Sequence, residues 1–87
     1  MKVVNRLDNS ELKPDQILSV YTGQAFGLAD DSAYETDRFE ASVPDRIMPR
    51  ELVLHELNLL QIGFTFWVKI DTATGGGAKW VPARIDA

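Results

Sequence analysis

The sequence predicts a small, β-rich α+β domain, either a barrel or a strongly curved antiparallel sheet with one short helix. Three observations predict it. Residues 60–71 alternate apolar and polar with a period of two, residues 79–85 alternate again, and the segment from Pro49 to Asn58 is rich in helix formers.

The first alternation is the longest. Leu60, Ile62, Phe64, Phe66, Val68 and Ile70 take one parity, and Gln61, Gly63, Thr65, Trp67, Lys69 and Asp71 take the other. Successive side chains on a strand point to opposite faces, so one face is apolar throughout and the other polar apart from Trp67. The second alternation sets Val81, Ala83 and Ile85 against Trp80, Pro82 and Arg84. Proline has no amide to donate, so Pro82 is expected on an edge strand or with its amide on an unpaired side. The two strands are expected to form a hairpin, with Ile70 opposite Val81, Val68 opposite Ala83 and Trp67 opposite Arg84. Three consecutive glycines, Gly75 to Gly77, fall in its connection. A phosphate-binding loop would need a helix after them, and a strand follows instead.

Earlier elements follow the same logic. Residues 2–7 carry Val3, Val4 and Leu7 and are read as a strand or an arm; Pro14 opens a helical turn or ends a loop. Residues 16–21 fit a helical face through Ile17, Val20 and Tyr21, or a strand through Leu18 and Val20. Gly23 and Gly27 tilt the reading to a bent or bulged strand. Residues 38–43 alternate Phe39, Ala41 and Val43 with Arg38, Glu40 and Ser42, a further strand. After Pro49, the segment 50–60 offers Val53, Leu57 and Leu60 as an apolar stripe with Leu54 beside it, and Glu51 suits the positive end of a helix; a strand there is the alternative.

Composition narrows the function. Eighty-seven residues make one domain, 1–87, of ordinary globular composition, 45% hydrophobic and 25% charged. The chain has no cysteine, so disulfides, thiolate nucleophiles and cysteine zinc sites are excluded. Nine Lys and Arg against thirteen Asp and Glu give a net charge of -4, which disfavours nucleic acid and anionic membrane as default partners. No apolar run reaches membrane-spanning length, and residues 1–7 lack the apolar core of a targeting segment, so a cytoplasmic protein is expected.

No catalytic constellation emerges. His55 is the lone histidine, and a helix would bring it only Glu51, so it reads as a surface or half-buried structural residue. The acidic run Asp30, Asp31, Glu35 and Asp37 lacks the regular spacing of a calcium loop and reads as a solvated segment or a surface for a basic partner. No metal or cofactor is expected. Trp67, Trp80 and Arg84 are the candidate binding residues: both indoles have the outward, polar parity of their strands, and tryptophan and arginine anchor interfaces. The alternatives are an indole covered by another element, or a cation-π pair with Arg84.

A resemblance adds a second reading. The element order, and the stretch Leu-Gln-Ile-Gly-Phe-Thr-Phe-Trp-Val-Lys-Ile-Asp at 60–71, resemble the OB-fold domains of a ribosomal RNA-binding protein. The resemblance implies an OB-like barrel that stacks single-stranded nucleic acid on Phe26, Tyr34 and Phe39 beside Arg38. The chain departs from the family in lacking its glycine-valine first strand, and Asp30, Asp31, Glu35, Asp37 and Glu40 crowd the implied surface. The run Trp80 to Arg84 is also similar to the last strands of SH3-like barrels, whose acidic aromatic motif is missing here. The sequence therefore points to a protein-interaction module, binding a protein partner or self-associating as a homo-oligomer, ahead of a nucleic-acid binder; a small-molecule carrier or enzyme comes third.

Overall fold

The computed structural model describes residues 1–22, 47–72 and 77–87. They form a five-stranded antiparallel sheet with one helix. The strands are β1 (Lys2–Asn5), β2 (Glu11–Leu12), β3 (Ile17–Tyr21), β4 (Thr65–Thr72) and β5 (Gly77–Asp86); α1 spans Arg50–Leu59. Spatial order is β2-β1-β5-β4-β3. Among the described residues β2 and β3 are the two edges, so the sheet is open and does not close into a barrel.

The β4–β5 hairpin forms with its apolar faces coincident. Its register is shifted by two residues from the expected one: Val68 lies opposite Val81, Phe66 opposite Ala83 and Trp67 opposite Pro82, while Arg84 faces Thr65. A shift of two preserves every side chain's face, so parity alone could not separate the two registers; in the one that forms, Thr72 pairs with Gly77 at the hairpin end.

The organising strand is shorter than its pattern. It begins at Thr65, not Leu60, because α1 runs to Leu59 and Gly63 adopts φ +90°, a left-handed conformation that fits a turn. Gly63 N–H still donates to the Ile85 carbonyl at 2.8 Å and Ile85 N–H to the Phe64 carbonyl at 3.0 Å, so the chain stays tied to β5 through the turn.

Pro82 sits in a central strand, contrary to the edge placement, yet with its amide position unpaired as expected. Its carbonyl accepts from Arg6 N–H at 2.9 Å, so the nitrogen of Pro82 faces β1 as well. The β1–β5 ladder stops at Asn5 opposite Ala83, where the next amide would have to come from the proline.

On the other side of the hairpin, β3 is a strand with a bulge. Ile17 pairs with Ile70 and Ser19 with the adjacent Lys69, leaving Leu18 as the extra residue. The bulge turns Ile17 and Val20 to the same face, which an unbroken strand would not. The helix appears where expected. Pro49 precedes it, its carbonyl accepting from Leu52 and Val53 N–H at 3.0 and 3.1 Å, and Glu51 lies in the first turn.

The core lies between α1 and one sheet face. Val53 and Leu57, one turn apart, pack with Val3, Leu12, Ile17, Val20, Phe66, Val68, Ile70, Val81, Ala83 and Ile85, and Leu60 closes the stripe. Phe64 stacks on Phe66 with ring centroids 6.2 Å apart.

Candidate functional site

The predicted contact residues are the first test. Trp67 and Trp80 do lie on the sheet face opposite the core, as their parity requires, but they are 0% and 3% exposed. Val4, Ser19, Lys69 and Pro82 on the same face are buried too. The central strands thus bury both faces, so indoles placed on the polar parity are packing residues and not a surface patch. Arg84 is the member of the trio that reaches solvent. Its guanidinium donates to Asp86 Oδ2 at 3.4 Å and to Asn9 Oδ1 at 3.5 Å, and its register partners are Val4 and Thr65, so no cation-π pair with Trp67 follows from the pairing. Of the nucleic-acid set, Phe26, Tyr34, Arg38 and Phe39 lie outside the described residues, as do the acidic run and the strand expected at 38–43.

No three His, Asp or Glu side chains are brought together to hold a metal among the described residues. His55 is exposed on α1. Asp8 has its carboxyl held below the usual carboxylate range by hydrogen bonds from the Ser10 hydroxyl and Ser10 N–H, at 2.7 and 2.9 Å. It is fully exposed and shapes the β1–β2 turn, where Asn9 takes φ 63°. No described helix is long and apolar enough to cross a membrane.

What the structure does present is apolar surface around α1. Ile47, Leu52, Leu54, Leu59, Ile62 and Phe64 are all exposed, and Ile47, Leu59 and Ile62 are each more than 60% exposed. Apart from Met1 and Leu7, every exposed large apolar residue among those described lies between positions 47 and 64. Helix geometry divides them. With Val53 and Leu57 turned to the core, Leu52 and Leu59, seven residues apart, share a second line down the outer side, and Leu54 flanks the core on the other side. Next to Leu54 a groove of about 120 Å³ opens between α1 and the β1–β2 edge, floored by Val3, Leu12, Leu57 and Ile85.

The sheet edges offer much less. Asn5 N–H donates to the Ser10 carbonyl, so the groups of Glu11 and Lys13 point away from β1. Lys13 N–H donates to Gln16 Oε1 at 3.0 Å, its carbonyl accepts from Gln16 N–H at 2.9 Å, and Pro14 follows without an amide. At the other edge, the Leu18 carbonyl accepts from Met48 N–H at 2.9 Å and Val20 N–H donates to Met48 Sδ at 3.4 Å. Both edges are therefore capped against strand addition at these positions.

The outer apolar line was missed in the sequence, though a signal existed. Residues 50–60 hold five leucines and a valine, more than one core-facing stripe of a ten-residue helix can take. No family model, curated protein or solved structure matches this chain.

Proposed function

We propose that the protein is a small interaction module that makes protein–protein contacts, self-association among them, through the outer surface of α1 and its flanks. The observation that carries this is the concentration of exposed Leu, Ile and Phe side chains between positions 47 and 64, beside sheet edges that are capped at Lys13, Leu18 and Val20. Large apolar side chains left open to water on and around one helix mark contact sites, and the capped edge positions favour side-chain docking over strand addition there. Among the described residues nothing assembles a nucleophile, a base and an oxyanion donor, so the reading is one of binding. Arg84 at the sheet's end is a peripheral polar contact in this scheme.

The double substitution Leu59→Glu with Ile62→Glu tests it. Both side chains are exposed, so the fold should survive, while solution mass or the set of copurifying proteins should change. A folded double variant with both unchanged removes α1 as the contact surface. Retention of single-stranded oligonucleotides at low salt, weakening as salt rises, would point instead to an OB-like barrel reading through Phe26, Tyr34, Arg38 and Phe39.

A further inference from the structure

We infer that the occupant of the outer α1 surface is a second copy of this chain, docked helix against antiparallel helix about a twofold axis; this rests on the reading of α1 as the contact surface. Leu52, His55, Glu56 and Leu59 stand at i, i+3, i+4 and i+7, one continuous line down α1. That line is separate from the buried stripe of Val53 and Leu57. Leu52 and Leu59 are 42% and 64% exposed at its ends, and the two polar groups lie between them.

The line is complementary to itself when turned end for end. An axis passing between His55 and Glu56 brings Leu52 against Leu59 of the partner subunit and His55 against Glu56 of the partner subunit, each contact occurring twice, as a closed twofold interface requires. An imidazole N–H donates to a carboxylate oxygen, so the two polar groups are complementary partners. A parallel pairing would instead set Glu56 beside Glu56 of the partner subunit, like against like. The flanks obey the same exchange. Exposed Ile47 precedes the helix and exposed Ile62 and Phe64 follow it, so antiparallel packing carries apolar residues from one end over apolar residues from the other.

Cross-linking decides the geometry, because the chain has no cysteine of its own and introduced thiols are unambiguous. Under oxidised glutathione, Leu52→Cys mixed with Leu59→Cys is expected to yield a mixed disulfide-linked dimer. Leu52→Cys alone should yield at least tenfold less, because antiparallel packing separates the two copies of position 52 by about 10 Å along the axis at 1.5 Å per residue. The unmodified protein should have twice the mass of its 9.7 kDa chain in solution, and Leu59→Glu should return it to one chain. An unchanged far-ultraviolet circular dichroism spectrum in Leu59→Glu excludes misfolding as the cause, and its unfolding midpoint should match that of the unmodified protein diluted until it dissociates. Single-chain mass for the unmodified protein at millimolar concentration overturns the inference, as does preferential cross-linking of position 52 to itself. Should a different partner still be lost on Leu59→Glu with Ile62→Glu, only the second-copy arrangement falls; an unchanged partner set removes the contact surface itself.

Discussion

Trp67→Ala separates a packed indole from a contact residue, and its size can be worked from the structure. The side chain is fully buried, with Pro82 opposite on β5 and Tyr21 opposite on β3. A tryptophan buries about 200 Å², which at about 25 cal/mol per Å² amounts to about 5 kcal/mol of transfer free energy. Truncation retains the alanine methyl but leaves a cavity, and large aromatic-to-alanine changes in cores cost about 3–5 kcal/mol. An 87-residue domain has a total stability of about 4–13 kcal/mol, so the variant should be close to unfolding. In urea, with a slope of about 1–1.5 kcal/mol/M, the midpoint should fall by about 2–5 M. The assay is urea denaturation followed by far-ultraviolet circular dichroism, which does not depend on the deleted indole. Trp67→Phe, which keeps most of the apolar volume, should recover more than half the loss. A Trp67→Ala protein with the midpoint of the unmodified chain would refute the buried placement and return the indole to the surface.

Gly63 has φ +90° and open space where a Cβ would sit, so Gly63→Ala should cost only the left-handed backbone term, about 1–2 kcal/mol, read as a lowered urea midpoint with secondary structure unchanged. Asp8 is exposed, with Ser10 hydrogen bonds lowering its pKa, so its folded charged form is favoured. The associated stability is present above the unfolded pKa and is lost as pH falls through the lower folded value. Ser10→Ala should therefore raise the Asp8 titration midpoint, followed by the carboxyl carbon shift in NMR; an unchanged midpoint would mean the turn hydrogen bonds do not hold the carboxylate.

Several elements were legible from local pattern because their signals are local. The strand alternation at 65–71 and 79–85, and the Val53–Leu57 stripe after Pro49, each arise from one element meeting one apolar layer. Positions 60–64 misled, since Leu60, Ile62 and Phe64 continue the period of two across a turn; nothing in the alternation marks that Leu60 caps a helix and Ile62 faces water. The candidate site was misplaced for a related reason. Parity put the two indoles on the correct face, but whether that face meets solvent depends on what lies over it. Conversely, Leu52 and Leu59 looked like ordinary helix formers until the orientation of α1 turned Val53 inward.

By itself the amino-acid order determined which side chains share a face and where the helix starts, because backbone pleat and helical pitch act over a few residues. The tertiary structure alone decided the hairpin register, the bulge at Leu18, the central place of β5 and the burial of Trp67 and Trp80. Those outcomes turn on which distant surfaces meet, and a shift of two residues or a second covered face leaves the local periodicity unchanged.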